Sequence, residues 1–233
     1  MPCGAITGDP RETLEAENWR KVTWWRTLCR MNAPTTHQLG VPTWDQWDAF
    51  WNRWKPRECA TLLFVIANGQ VLLIEKRRGL GAGKVNAPGG RVQPGEHPRQ
   101  AAIRETREEV GVEPLNPEWT ARLRFQFLDG YSIQGDVFVS RQALGEPHET
   151  PEARPFWVRL DELPYDRMWE DDRFWLPHVL AGRTVDAYFF FDGDSMLRYR
   201  IVVGAEPPPE VAPEAGAGPL DERRAASSAA TRR

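Results

Sequence analysis

Cysteine, histidine and excess charge are all scarce in this chain. Of its 233 residues, three are Cys (Cys3, Cys29 and Cys59) and four are His. An odd cysteine count without CxxC spacing argues against a disulfide framework or a thiolate zinc site, and fits a reducing, cytoplasmic setting. The formal net charge is only −3, so no general attraction to polymeric nucleic acid or to an anionic membrane is expected. A polyanionic small ligand then needs a local cationic site or a metal. No apolar run approaches the roughly 20 residues that span a bilayer. The start, MPCGAITGDPRETLEAEN, carries acids early and lacks the apolar core of a secretory signal.

Tryptophan, by contrast, is plentiful and unevenly placed. Seven of the eleven Trp lie in residues 1–56, at 19, 24, 25, 44, 47, 51 and 54. Trp44, Trp47, Trp51 and Trp54 recur at helical spacing, Thr43 with Gln46 fits a capping box, and Pro56 ends the segment, which predicts a helix over 43–54. A second helix is expected over about 10–30. Such helices pack on the rest of the chain or on a second subunit, or serve a protein partner. From Ala205 the chain turns to Pro, Ala and Gly, as in EPPPEVAPEAGAGPL, and a disordered tail is expected over 205–233. Three parts follow: a Trp-rich helical extension (1–56), a main domain (57–204) and the tail.

The main domain mixes strand and helix signals. Cys59–Ala67, then Asn68-Gly69, then Val71–Ile74 predicts a hairpin with a two-residue turn. Further strands are expected over 121–128, 132–139, 156–160, 185–191 and 197–203. A helix opens at His97-Pro98 and stops at Gly111, and a shorter one covers Asp172–Ala181. The fold class is therefore α/β, a sandwich around a mixed sheet.

On the first of these helices Glu105, Glu108 and Glu109 stand at i, i+3 and i+4, so the three carboxylates share one side. Hard divalent cations such as Mg²⁺ take oxygen ligands together with substrate phosphates, which suits that side. Taken alone, it equally suits a solvated face on which Arg104 pairs with Glu108. The spacing of Gly90, Glu96 and Arg104-Glu105-Thr106-Arg107-Glu108-Glu109-Val110-Gly111-Val112 resembles the signature of the Nudix hydrolase family, with Thr106 in place of the usual aliphatic residue.

The resemblance implies an α/β/α sandwich in which Glu105, Glu108, Glu109, Glu152 and Gly89 hold Mg²⁺, with Mn²⁺ as a substitute. Arg104 would orient a glutamate in the catalytic set. Which glutamate acts as base is left open. Lys76–Glu96 and Met168–Pro177 (MWEDDRFWLP), followed by AYFFFDG, look like the branch of that family that hydrolyses oxidised purine nucleoside triphosphates such as 8-oxo-dGTP and 2-hydroxy-dATP. By that resemblance Asn86 bonds the purine edge, Trp169 stacks on its face, and Asp171 and Asp172 read the base edge. Thr61 and Lys76 line the pocket, Gly90 and Arg91 belong to the substrate loop, and Glu170 adds an acid where the branch has Pro. Leu80 and Val85 depart from the branch's aromatic residues and bear on pocket shape. Trp169 as a core residue, Asp171 or Asp172 as an N-cap, and Asn86 as a turn residue remain alternatives. So do other Nudix substrates (a dinucleoside polyphosphate, a nucleotide sugar, an unmodified triphosphate) and a nucleotide sensor without turnover.

Overall fold

The computed structural model describes residues 5–8 (backbone alone), 40–78 and 81–207. In chain order the first elements are β1 (Ala5–Gly8), α1 (Trp47–Trp51), β2 (Glu58–Ala67), β3 (Gln70–Lys76), β4 (Val85–Asn86) and α2 (Pro98–Val110). There follow β5 (Glu113–Leu115), β6 (Glu118–Phe127), β7 (Ser132–Ser140), β8 (Gln142–Leu144) and β9 (Ala153–Arg159). Then come α3 (Asp172–Leu180), β10 (Val185–Asp192) and β11 (Ser195–Val203). One mixed sheet runs β1-β11-β10-β6-β7-β2-β3-β4, with β9 also paired to β3, while β5 and β8 form a separate ribbon. β10 with β6 and β2 with β7 are parallel; the other pairs in the sheet are antiparallel.

β2 reads as a continuous apolar run because both of its faces are covered. Phe64 and Ile66 join Trp175, Leu176 and Val179 of α3 in one core. Leu63 and Val65, pointing the other way, join Ala102 and Val110 of α2 in a second. The β2–β3 turn is the expected Asn68-Gly69 pair, with φ of 51° and 74°. Two successive left-handed residues match the twist of a hairpin, and Asn and Gly tolerate them best.

β2 and β3 pair only beside that turn and then separate. Residues 88–92 enter the gap and occupy the free edge of β2. Leu63 N donates to Pro88 O (2.9 Å), Thr61 N to Gly90 O (2.8 Å), and Val92 N to Cys59 O (2.9 Å). This wedge carries Gly89 and Gly90 to the end of the cleft beside α2.

α1 lies on the same face as α2, since Phe190, its main contact, pairs with Gln126 on the side turned away from α3. Trp47 and Trp51 are buried against Phe190, and Trp54 Nε1 donates to Gln126 Oε1 at 2.9 Å. Burial of each indole contributes on the order of 4 kcal/mol. The α/β/α layering is as expected.

The front segment departs from expectation. The helix predicted over 43–54 is only Trp47–Trp51, preceded by a turn at 44–46. Gln46 reaches back to Thr43 N (3.2 Å), but no side chain caps the first turn. Arg198 of β11 donates to the Pro42 carbonyl and stacks on Trp44, which fixes the entering chain and leaves Trp44 42% exposed. Ala5–Gly8, for which no element was expected, pairs as a strand with β11. The helix expected over 10–30, Leu80, and the tail from 208 lie outside the described residues.

Candidate active site

α2 is fixed firmly at both ends. His97 accepts from Arg99 N (3.2 Å), Gln100 reciprocates to His97 N (3.4 Å), Pro98 occupies the first turn, and Gly111 ends the helix at φ 73°. Thr106 is fully buried, and its hydroxyl donates to Ala102 O at 2.8 Å. That bond explains how a polar residue occupies a position where the family places an aliphatic one.

The three glutamates of this helix have different surroundings. Glu109 is buried: its Oε1 accepts from Lys76 Nζ (3.2 Å) and its Oε2 from Gly89 N (2.9 Å). Burial raises its pKa, while Lys76 and the Gly89 amide pull it back. Arg104 gathers the others. It donates to Glu105 (2.8 Å), to Glu108 (3.1 Å) and, through two nitrogens, to Glu96 (2.8 and 2.9 Å). The paired Glu96 holds Arg104 charged well above its ordinary range. The expected Arg104–Glu108 pair is present, and the same guanidinium also holds Glu105. A Cβ at Gly90 would collide with the Glu105 carboxylate, and one at Gly89 with the Thr61 carbonyl. At Gly89 the obstacle is backbone, so only glycine fits; at Gly90 it is the end of a side chain, which a Cβ would push aside.

A cleft of about 530 Å³ runs from Glu105, Glu109 and Gly89 to Asp171, Asp172 and Trp169. At the far end the two aspartates are buried side by side. Asp171 Oδ2 accepts from Trp175 Nε1 (2.9 Å), whereas its Oδ1 is buried without a partner. Burial lifts Asp171 to about 7. Asp172 Oδ2 accepts from Trp169 N (2.9 Å), and burial, then the neighbouring Asp171, push its pKa well above the usual range. Asp171 makes no capping bond to α3. Trp169 is half-buried, with Lys84 Nζ 4.6 Å from the centre of its ring.

The structure brings Thr61, Lys76, Asn86, Gly89, Gly90, Arg91, Glu105, Glu109, Glu152, Trp169, Asp171 and Asp172 to this cleft. Thr61 Oγ1 is buried there without a partner. Asn86 Oδ1 bonds its neighbour's amide, Ala87 N (2.8 Å). Arg91 is paired with Glu58 (2.7 Å), and Glu152 is exposed. Glu108 is not a lining residue; its side chain is 59% exposed and paired with Arg104. Glu170 is not a lining residue; its carboxylate accepts from Met196 N (2.9 Å), so it latches the β10–β11 turn. A backbone amide 26 residues away, in β11, captures it. Val85 is fully buried in the α3-side core, which leaves it no place among the lining residues. Sequence reasoning missed Ala60, Arg78, Leu123, Phe125, Phe127, Ile133, Gly135 and Phe191, which also line the cleft. Arg78 follows β3; for the others strand alternation was readable, but not which face lines a cleft.

A NUDIX domain model matches residues 56–179. The chain is 38% identical over 138 residues to the zebrafish (Danio rerio) oxidized purine nucleoside triphosphate hydrolase, covering 59% of this chain and 88% of that protein. The mouse (Mus musculus) protein of the same name is 35% identical over 143 residues, covering 60% and 92%. Among solved structures, a mutator MutT protein from Bacillus halodurans superposes with a TM-score of 0.57 at 28% identity, covering 62% of this chain and 97% of that one. With its glutamate helix, its glycine wedge and a matching domain over more than half its length, this chain belongs to the Nudix family.

Proposed function

We propose that the chain hydrolyses oxidised purine nucleoside triphosphates, 8-oxo-dGTP and 2-hydroxy-dATP among them, to the monophosphate and pyrophosphate in a Mg²⁺-dependent reaction, with Mn²⁺ as a substitute. The setting fits the cytoplasm, and no described helix is long and apolar enough to cross a membrane. One observation carries the reading: a single cleft joins the oxygen-rich glycine wedge and α2 to two buried aspartates that share an elevated proton affinity. The similarity to the two vertebrate hydrolases supports it.

The donor set fits a hard divalent cation. Glu105, Glu109, Glu152 and the Gly89 carbonyl present only oxygen to the cleft, and Glu108 follows Glu105 at i+3 on the same side of α2. Among the described residues no three acidic, His or Cys side chains converge into a ready-made cage, because Glu105 and Glu108 are turned to Arg104 and Glu109 to Lys76. Mg²⁺ does not need one, since it keeps waters and takes the rest of its shell from one or two carboxylates and substrate phosphate. When bound it offsets negative charge developing at phosphorus and lowers the pKa of the attacking water.

The chain's own residues supply position and proton traffic. Arg104 orients Glu105 and Glu108, and Glu96 holds Arg104 in place. One carboxylate of the α2 set accepts the proton lost by water. Lys76, beside Glu109 and the Gly89 carbonyl, offers positive charge to the polyphosphate. At the other end Trp169 stacks on the base and Asn86 bonds its edge. Near neutral pH the aspartate pair retains a proton, so one acid donates while the other accepts. That pattern serves an oxidised guanine and an oxidised adenine.

The test is steady-state turnover on 8-oxo-dGTP, 2-hydroxy-dATP, dGTP, ADP-ribose and diadenosine tetraphosphate, with products identified. The expected result is a kcat/KM for the oxidised purines above that for dGTP, with pyrophosphate released. A preference for dGTP or for the dinucleotide would overturn the proposal.

A further inference from the structure

We infer that Lys84 is a positioning residue for the base: its ammonium holds the Trp169 indole from behind, leaving the ring face turned to the cleft for stacking, and Asp194 keeps the ammonium there. The inference rests on the proposed reading of Trp169 as the stacking platform. Trp169 lines the cleft and Lys84 does not, yet Lys84 Nζ lies 4.6 Å from the centre of the indole ring. The face it covers is therefore the one turned away from the cleft. At such a distance a cation is attracted to the negative face of an aromatic ring, and indole attracts it best.

The surroundings fix both partners of this contact. The loop that leaves β3 pins the backbone of Lys84: Lys76 N donates to Lys84 O (3.0 Å), Gly83 N to Lys76 O (2.8 Å) and Lys84 N to Gly81 O (2.9 Å). Gly81 of the same loop closes on the indole edge, where a Cβ would lie 3.2 Å from Trp169 Nε1. The ammonium finds its second partner in Asp194 Oδ2, at 3.8 Å, on the turn between β10 and β11. An ion pair this long and this open adds little stability of its own. Glu170, next to Trp169, bonds Met196 N just beyond that turn, so one turn latches the Trp169 segment and also holds the cation over its ring. Trp169 N donates to Asp172 Oδ2 (2.9 Å), and Phe191 stands perpendicular to the indole with ring centres 6.4 Å apart. A ring held in this way has already lost the freedom that stacking a base would otherwise cost. The same ammonium opposes the rise in the pKa of Asp171 and Asp172, so the platform and the aspartate pair share one cation.

The experiment measures the Kd of 8-oxo-dGMP by calorimetry, kcat and KM on 8-oxo-dGTP, and the inhibition constant of inorganic pyrophosphate. It compares wild type, Lys84→Met, Lys84→Arg and Asp194→Asn, and repeats Lys84→Met in a Trp169→Leu background. Lys84→Met is expected to raise the Kd and the KM about 2- to 30-fold, with kcat within about twofold and pyrophosphate inhibition unchanged. Lys84→Arg, which keeps a cation for the ring, should return the Kd to within about twofold of wild type. Asp194→Asn should move it in the direction of Lys84→Met but less far, although Asp194 does not line the cleft. In Trp169→Leu the loss caused by Lys84→Met should disappear. An unchanged Kd in Lys84→Met, a loss of the same size without the indole, or a parallel rise in the pyrophosphate constant overturns the role of Lys84, while wild-type turnover of 8-oxo-dGTP keeps the reading of the site. Absence of both binding and turnover in wild type overturns both.

Discussion

At the α2 end of the cleft the carboxylates face cations: Glu105 and Glu108 meet Arg104, and Glu109 meets Lys76. At the α3 end Asp171 and Asp172 are buried against the Trp175 indole, the Trp169 amide and each other. Glu105 and Glu108 are held by a charged partner, Glu109 is buried but paired with Lys76, and the two aspartates are buried with no ion pair among the described residues. Carboxylates of the first kind suit the proposed clamp for metal and phosphate, whereas those of the second kind, with raised proton affinity, suit the proposed reading of a base. The difference is made by surroundings, because nothing in the side chains distinguishes the two sets.

The largest way to break this contrast is at α2. Glu108→Gln is expected to lower kcat by about 10²- to 10⁴-fold on every nucleotide. It should shift stability by less than about 0.5 kcal/mol, as this side chain is exposed. Rate assays beside thermal melts check both. Gly90→Ala should come next. Its Cβ displaces the Glu105 carboxylate, and a misplacement of that kind costs about 10²-fold in rate, with little change in melting temperature. Gly89→Ala should differ, because its Cβ strikes the Thr61 backbone and opens the β2 edge. A stability loss of about 1–3 kcal/mol by denaturant titration is expected there.

The smallest effect sharpens the other end. Asp171 binds its proton more tightly folded, near pH 7, than unfolded, near 3.8. Between those values the native state holds the extra proton, so this group's contribution to stability falls as pH rises and is fully lost above about 7. Asp171→Asn removes that fall. The melting temperature of the variant minus that of wild type should therefore climb between pH 4 and 7 and level off above. A flat difference would show that Asp171 is not protonated in the folded protein.

Much of this was legible in the residues. The Asn68-Gly69 turn, the His97-Pro98 start and the Gly111 stop are local chemistry, and the structure follows them. The glutamate spacing on α2 is helical geometry and needs no tertiary information. What escaped depends on contacts distant in sequence. The turn before α1 is held by Arg198, a residue 156 positions from Pro42. Glu170 reads as a third acid beside the aspartates, but Met196 N captures it. Strand β4 and the ribbon of β5 and β8 are two or three residues long, too short for any alternation to register.

The central claim, that one end of the cleft performs the chemistry and the other reads the base, is tested most directly by one comparison of kcat/KM. Wild type, Glu108→Gln and Asp171→Asn are each assayed on 8-oxo-dGTP and on dGTP. The account expects Glu108→Gln to depress both substrates alike and Asp171→Asn to lower the 8-oxo-dGTP to dGTP ratio about tenfold or more. Equal losses on both substrates in Asp171→Asn would contradict it and leave the aspartate pair a structural role.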